Sequence, residues 1–284
     1  MIGVRDELID VRTTLRNLLL GGAAVAAALL APWALGAGGH TPKSAAPASS
    51  SPGDGSLPTG PGALRFIVQN QCVLDWKQHQ NPAPCERVTL FDAKTSDTGY
   101  AVLQDPDGGA HYLLVPTQTM PGLDSSELLD RDAPNYFAEA WHARDLLAKA
   151  IGHAVPRTDI ALVVNTERAR AYNQFHIHIE CLRQDVADAL RAAAPGIVDV
   201  WSPVSVGGAT FQATRIASGS LDGSNLYESL AAMKPGTAQR LRDYTLIAVG
   251  AQFATGPGFI ILTGTGPTGE ILLDSTCEAA GGGG

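Results

Sequence analysis

The sequence predicts an α+β protein with a mostly antiparallel sheet and helices packed against it. Two kinds of feature indicate this class. Short apolar runs separated by turn residues are typical of paired strands. One longer stretch has apolar residues at helical spacing. The order of hairpin, helix, strand and strand along the chain is that of an α+β sheet.

In the first half of the folded region, three apolar runs are predicted strands, and the turn residues 105–109 join the first two into a hairpin. Between the hairpin and the third strand, a helix is predicted over 134–151, with Pro134 near its first position and Gly152 at its end. The three predicted strands are 98–104, 111–116 and 160–164.

The second half repeats this order loosely and contains no histidine. Strands are predicted over 209–217, 244–250 and 258–263, and residues 226–241 are predicted to be helical with a break at Pro235. We interpret this half as a degenerate copy of the first half, or as a cap that supplies substrate contacts.

The composition is that of an acidic folded protein. The chain has 284 residues, 45% of them hydrophobic and 17% charged, and its formal net charge is −8. Residues 1–63 carry equal numbers of basic and acidic groups, so residues 64–284 carry the whole acidic excess. An acidic domain lacks the sequence-independent phosphate contacts that drive bulk nucleic-acid binding, so nucleic acid is not an expected partner.

The N-terminal segment is predicted to lie outside the fold. Residues 18–39 carry no charge, and such a run reaches the ~20 residues that a bilayer-spanning helix needs. Arg12 and Arg16 precede the run and favour a cytoplasmic N-terminus. Residues 1–39 are therefore expected to be a membrane anchor or a signal segment. Both interpretations put the remainder outside the cytoplasm, and an anchor would hold it at the cell membrane by a single span.

Three further segments complete the predicted organisation. Residues 40–63 are rich in Pro, Ser and Gly and are expected to be a flexible linker. Residues 64–278 are the expected folded domain. Residues 279–284, which end in four glycines, are an expected disordered tail.

All four cysteines lie in the expected folded domain, and an even number in an exported protein indicates two disulfides. Four cysteines allow three pairings, and the sequence does not choose among them. We favour Cys72 with Cys85 as a local bridge and Cys181 with Cys277 as a link to the C-terminal end. A zinc site is disfavoured because the sequence has no Cys-x-x-Cys pair.

The segment 174–180 is the most informative for chemistry. Successive side chains of a strand point to opposite faces, so Gln174, His176 and His178 share one face, and apolar residues alternate with them on the other. Two imidazoles and an amide on one face are unsuited to a core. We therefore predict the active site on this strand.

This strand and its flanking motifs resemble the histidine triad superfamily, whose signature alternates histidine with apolar residues and has an asparagine on the preceding strand. Here Asn165 precedes Gln174-Phe-His176-Ile-His178-Ile. A wider ordered set, spanning nearly all of 64–278, resembles one of its families, the CDP-diacylglycerol pyrophosphatases. The motifs of this set are Cys72 with Asn81-Pro-Ala-Pro-Cys85, His111-Tyr-Leu-Leu-Val-Pro116, Pro134-Asn135 and Phe175-His-Ile-His-Ile-Glu-Cys181.

The resemblance implies a histidine-triad-like sheet and a membrane-tethered enzyme that cleaves CDP-diacylglycerol to CMP and phosphatidate. It implies that His176 is the nucleophile, that a cytidylyl-histidine forms, and that water releases CMP without a metal or other cofactor. His178, Gln174 and Asn165 are expected to stabilise charge on the phosphoryl oxygens, and Asn165 or a backbone carbonyl to hold the tautomer of His176. Gln174 departs from the family, which has histidine at this first triad position.

Further candidates for substrate binding lie outside the histidine strand. Arg168 and Arg170, on the loop before it, and Lys77, near Cys72, are expected to contact phosphates. Tyr112 is a candidate for stacking on cytosine. The other histidines of the folded domain are predicted to be surface or packing residues; they are His79, His111, His142 and His153.

Two other functions compete with this interpretation. Neighbouring imidazoles on one strand face can both reach one metal ion, which would make the protein a metal-dependent phosphoesterase. An exported module that binds a nucleotide or lipid head group without turnover is the other, favoured by Gln174 and the histidine-free second half. Loss of activity to a chelator would indicate the first, and absence of covalent modification the second.

Overall fold

The computed structural model describes residues 58–92, 97–105, 108–130, 132–266, 268–278 and 280. The predicted anchor and most of the linker lie outside the described residues. Within these residues, no helix has both the length and the apolar character needed to cross a membrane.

A large antiparallel sheet forms the centre of the described region and confirms the predicted α+β class. Its strand order is β1-β2-β3-β5-β4-β8-β9-β7-β6, and β10 pairs with β5. The strands are β1 (Arg87–Leu90), β2 (Gly99–Gln104), β3 (Tyr112–Pro116), β4 (Ile160–Val164), β5 (Ile177–Leu182), β6 (Ser202–Val206), β7 (Ala209–Ile216), β8 (Thr245–Phe253), β9 (Gly256–Gly264) and β10 (Leu273–Asp274).

The two halves of the sheet share one connectivity. A hairpin, a helical segment and two further strands follow in each half, and the strand order is β2-β3-β5-β4 in the first and β6-β7-β9-β8 in the second. The halves meet where β4 pairs antiparallel with β8. This arrangement supports the interpretation of the second half as a copy of the first.

Helices cover both faces of the sheet. On one face, α3, α4 and α6 pack on the apolar side of the central strands. On the other face, α1 and α2 cover β1 to β3, and α5 covers β4, β8 and β9. The bounds are α1 (Ala63–Ile67), α2 (Val73–His79), α3 (Tyr136–His142), α4 (Asp145–Ile151), α5 (Gln184–Ala193) and α6 (Leu226–Ala231).

The prediction of one continuous helix over 134–151 is wrong, because α3 ends at His142 and α4 begins at Asp145. Arg144 lies at the break. Its guanidinium stacks on the Trp141 ring and donates a hydrogen bond to the Trp141 carbonyl. That carbonyl would accept the Asp145 N–H in a continuous helix, so the side-chain contact replaces the helical one.

The predicted helix over 226–241 is also shorter than expected. It ends as α6 at Ala231, and a 3₁₀ turn at Ala238–Asp243 follows. Pro235 lies in the gap, as predicted, and Gly236 has a φ of +84°, a backbone conformation that favours glycine.

Both favoured disulfides are present, Cys72–Cys85 and Cys181–Cys277. The first joins the end of the π-helical turn between α1 and α2 to the segment before β1. The second fixes the C-terminal segment against β5, where β10 also pairs. The C-terminal segment therefore lies against the histidine strand.

Removing the Cys181–Cys277 bridge by a double alanine substitution is expected to cost more stability than removing Cys72–Cys85. The bridges close loops of 96 and 13 residues. Chain entropy predicts losses of about 4.7 and about 3 kcal/mol respectively. Urea unfolding of both double variants measures the difference, and equal losses would show that loop closure does not dominate.

Candidate active site

The histidine strand lies at the centre of the sheet, between the two helix-covered regions of one face. His178 is directly opposite Val163, Val163 opposite Ile247, and Ile247 opposite Leu262, so the four side chains form one row. Over the second half this row belongs to the apolar core beneath α5. The polar side chains of the histidine strand (Gln174, His176 and His178), which we call the polar group, therefore lie over the first half, as the histidine positions predict.

The predicted alternation along the strand is confirmed. Phe175, Ile177 and Ile179 are buried in the core on the α3–α4 side, while His176 and His178 lie together on the opposite face with ring centroids 5.0 Å apart. Both imidazoles are 5% exposed, which places them in a water-poor environment.

His176 has one ring nitrogen fixed and the other free. Its Nδ1 lies 2.6 Å from the backbone carbonyl oxygen of Gln174. This oxygen can only accept a hydrogen bond, so Nδ1 carries the proton. Nε2 therefore keeps its lone pair, and it has no hydrogen-bond partner among the described residues. A backbone carbonyl, and not Asn165, holds the tautomer of His176. A neutral imidazole oriented in this way is a competent nucleophile.

The ring of His176 lines a small pocket with Arg170 and Gly122. The Arg170 side chain is only 10% exposed and donates to Asn173 Oδ1 at 3.3 Å. A side chain at position 122 would collide with the Arg170 guanidinium, so glycine leaves room for it. The pocket thus combines a candidate nucleophile with a fixed positive charge.

Gln174 is fully buried beside this pocket. Its amide nitrogen donates to the carbonyls of Pro116 and Gln118, at 3.3 and 2.8 Å. These acceptors fix the amide orientation, and Oε1 is left buried with no hydrogen-bond partner in the part of the chain that the structure describes. An orphaned buried acceptor is costly and suits a hydrogen-bond donor on a ligand.

Asn165, at the end of β4, contacts His178. Its Oδ1 accepts from the Gly269 backbone N–H at 3.0 Å and from the Thr268 hydroxyl at 2.8 Å. Its Nδ2 lies 2.6 Å from Glu270 Oε1 and 3.3 Å from His178 Nε2. The 268–270 segment, which sequence analysis did not single out, therefore orients the asparagine.

His111 and Glu180 extend the polar group and were missed as functional candidates. His111 Nε2 lies 2.9 Å from His178 Nδ1 and 3.0 Å from Glu180 Oε1, and Asp105 is nearby. His111 therefore packs against His178 instead of lying at the surface, because Tyr112 pairs with Ile179 and brings His111 beside Glu180. Glu180 could have been identified from the sequence, because it lies at an even spacing from His176 and His178 and therefore shares their face of the strand.

Three donor atoms of this group lie within 4.8 Å of one another, namely His111 Nε2, His178 Nδ1 and Glu180 Oε1. Two imidazoles and a carboxylate are a donor set that zinc accepts. By composition and spacing, these are the residues that would hold a metal ion.

Burial controls the protonation of the group. It lowers the pKa of His176 to about 3, with a smaller contribution from neighbouring His178. Burial and the nearby His111 likewise lower the pKa of His178. Burial raises the pKa of Glu180 to about 7, an effect that His111 opposes and that Glu270 and Asp105 reinforce. Both strand histidines are therefore neutral at pH 7.

These shifts predict a loss of stability in acid. Between about pH 6.5 and 4.5, the unfolded chain protonates both strand histidines while the native state leaves them neutral. The native state instead protonates Glu180. The unfolded state thus binds one net proton more, so the free energy of unfolding should fall by about 1.4 kcal/mol per pH unit from these groups.

Urea unfolding at several pH values tests this, with a His176→Gln/His178→Gln double variant for comparison. Removing both histidines should reverse the sign of the remaining contribution, because only Glu180 is left to bind a proton in the native state. Equal pH slopes for the two proteins would contradict the prediction.

The other predicted substrate contacts are not brought to the histidines. Lys77 is paired with Asp97 at 2.7 Å, and Arg168 is exposed. Tyr112 is buried in the core on the opposite face of the sheet, where burial raises its pKa. The remaining histidines predicted to lie on the surface are exposed; these are His79, His142 and His153.

Comparisons with known proteins identify the family of this chain. A family model described as CDP-diacylglycerol pyrophosphatase matches residues 59–281. The CDP-diacylglycerol pyrophosphatase of Yersinia pestis is 32% identical over 222 residues, which cover 76% of this chain and 84% of the relative. The matched region includes the whole described sheet and every residue of the polar group. The chain belongs to the CDP-diacylglycerol pyrophosphatase family.

Proposed function

We propose that this protein hydrolyses CDP-diacylglycerol to CMP and phosphatidate through a covalent cytidylyl intermediate on His176. Family membership supports the reaction. The observation that carries the choice of nucleophile is the hydrogen bond from His176 Nδ1 to the Gln174 carbonyl, which leaves Nε2 unprotonated beside Arg170.

In the first step, the Nε2 lone pair forms a bond to the phosphorus that bears cytidine. The phosphorus–oxygen bond to phosphatidate breaks, and its electron pair leaves with the phosphatidate oxygen. The Nδ1 proton remains on the ring, and the Gln174 carbonyl stabilises the resulting positive charge. The leaving group is a phosphate monoester, whose second pKa is about 6, so it departs with little acid assistance.

In the second step, water attacks the same phosphorus and loses a proton to a base. The nitrogen–phosphorus bond breaks, its electron pair returns to Nε2, and CMP is released. Arg170 stabilises the phosphoryl oxygens in both steps, because a fixed cation in a water-poor pocket interacts strongly with developing charge. The orphaned Gln174 Oε1 accepts a hydrogen bond from a substrate hydroxyl or amine.

We propose also that residues 1–39 act as a single-span anchor at the cell membrane and that the catalytic domain over 64–278 lies on the non-cytoplasmic side. Two disulfides in this domain suit an oxidising compartment. Deleting residues 1–39 should release the protein from membranes, and continued membrane association of the deletion variant would contradict the anchor.

The reaction is tested with the purified full chain and CDP-diacylglycerol in detergent micelles, with and without EDTA. Equal amounts of CMP and phosphatidate, unchanged by EDTA, are expected. CMP release that EDTA abolishes would indicate a metal-dependent phosphoesterase. Binding of CDP-diacylglycerol by folded protein without release of CMP would indicate a binding module and contradict the proposed hydrolysis.

A further inference from the structure

One aromatic side chain lies directly against the candidate nucleophile. The ring of Tyr172 contacts the ring of His176 edge to face, with centroids 5.8 Å apart and ring planes inclined at 76°. Among the residues that the structure describes, the only other ring in contact with His176 is that of His178. Tyr172 is therefore the aromatic neighbour of the position where the cytidylyl phosphorus would be held.

The Tyr172 side chain is held on one side and partly exposed on the other. It packs on the apolar cluster beneath α1 and α2, to which Leu113 belongs. Leu113 is directly opposite His178, so this cluster lies on the histidine face of the sheet. The backbone N–H of Asn173 donates to the Pro61 carbonyl at 2.8 Å and fixes the loop. A ring that is already ordered loses little conformational entropy when a ligand binds to it.

The loop before the histidine strand carries two side chains that suit different parts of a nucleotide. Arg170 lines the His176 pocket, and its planar guanidinium matches phosphate. Tyr172 follows two residues later and offers an aromatic ring, on which a base can stack. In a nucleotide, the ribose joins the phosphate to the base. A phosphate held by His176 and Arg170 therefore places the base within reach of a ring beside His176.

The other aromatic side chains near the histidine strand do not meet this requirement. Tyr112, Tyr136 and Phe175 are buried in the core on the opposite face of the sheet. Trp76 packs on the same cluster as Tyr172, but of these two side chains only Tyr172 contacts the His176 ring.

We propose that Tyr172 is the stacking platform for the cytosine base of CDP-diacylglycerol. This inference rests on the function proposed above and assigns the ring that binds the base. Every base has a π face, so a stacking platform tolerates other bases. Tyr172 is thus expected to favour a nucleotide over a phosphate that lacks a base, and to contribute equally to cytosine and uracil binding.

Binding of CMP, UMP and ribose 5-phosphate to the full chain tests the proposal without turnover. Tyr172→Leu keeps an apolar side chain on the cluster but lacks the aromatic face. It should weaken CMP and UMP binding by about 10- to 100-fold and leave ribose 5-phosphate binding unchanged. Tyr172→Phe should stay within about threefold of wild type. Trp76→Leu is the matched control, since it removes a ring from the same cluster and should leave CMP binding unchanged.

Proton NMR of CMP provides a direct signature of stacking. The cytosine H5 and H6 signals should move upfield on binding to wild type and to Tyr172→Phe, because the aromatic ring shields protons above its face. This shift should be lost in Tyr172→Leu. An unchanged shift in Tyr172→Leu, or an equal loss of affinity for CMP and ribose 5-phosphate, would overturn the proposal.

Kinetics separate binding of the base from positioning of His176. In Tyr172→Leu, kcat/KM for CDP-diacylglycerol should fall by about 10- to 100-fold, mostly through KM. A loss confined to kcat would show that the ring only orients His176. Wild-type kcat/KM in this variant would refute stacking and leave the reaction standing. If the protein stacks CMP on Tyr172 but releases none from CDP-diacylglycerol, the proposed reaction fails and the assignment of the ring stands.

Discussion

Replacing His176 by alanine is expected to reduce CMP release by about 10⁴-fold or more, because the reaction loses its nucleophile. No covalent adduct should form when the variant is mixed with CDP-diacylglycerol carrying a radiolabel in its cytidylyl phosphate. Wild-type protein quenched in base should carry the label on His176, which peptide mapping locates. The other triad members cannot replace His176, because both ring nitrogens of His178 already have partners.

Two matched variants control this experiment. His153→Ala removes an exposed histidine remote from the polar group and should leave CMP release unchanged. His178→Ala should still form the adduct on His176, because it keeps the nucleophile and the Gln174 backbone carbonyl that orients it. Label found on His178, together with adduct formation by His176→Ala, would contradict the assignment and identify His178 as the nucleophile.

Replacing Arg170 by alanine is expected to lower kcat/KM by about 10² to 10³-fold, the cost of removing one preorganised donor to a developing oxyanion. The effect should be large because the Arg170 side chain is only 10% exposed, so water screens its charge weakly. Arg170→Lys should recover only part of the activity, since an ammonium lacks the planar fork that matches phosphate.

The loop that carries Arg170 supplies its own control. Arg168 lies two residues away and is exposed, so Arg168→Ala should change kcat/KM by less than about threefold, as expected for a screened surface charge. Gly122→Ala provides a second test, because its added Cβ would displace the guanidinium without removing the charge. Equal losses in Arg168→Ala and Arg170→Ala would show that the loop charge acts only at long range.

Sequence periodicity predicted the central strands well and the helices less well. The runs that became β2, β3, β4, β8 and β9 are apolar and bounded by turn residues, so their local pattern is sufficient. β1, β6, β10, α1, α2 and α5 received no prediction. In β6 only Val206 is buried, so the apolar pattern of this strand is weak. The break in the predicted helix at Arg144 depends on a side-chain contact that periodicity does not report.

The candidate site was predicted in part. The alternation along β5 identified the histidine face, and Asn165 was correctly expected beside it. Asn165 nevertheless orients His178, while a backbone carbonyl orients His176. Tyr112 illustrates the limit of such reasoning, since an aromatic next to a site in sequence can lie on the other face of the sheet.

The sequence by itself determined the α+β class, the polar face of the histidine strand and the family, because each depends on local alternation or on ordered motifs along the chain. The disulfide pairing, and the meeting of His111, Glu180, Arg170 and the 268–270 segment around the histidines, were decided only by the tertiary structure. These contacts join residues far apart in sequence through strand register and cross-sheet packing. No local pattern encodes which of two rotamers, tautomers or faces such packing selects.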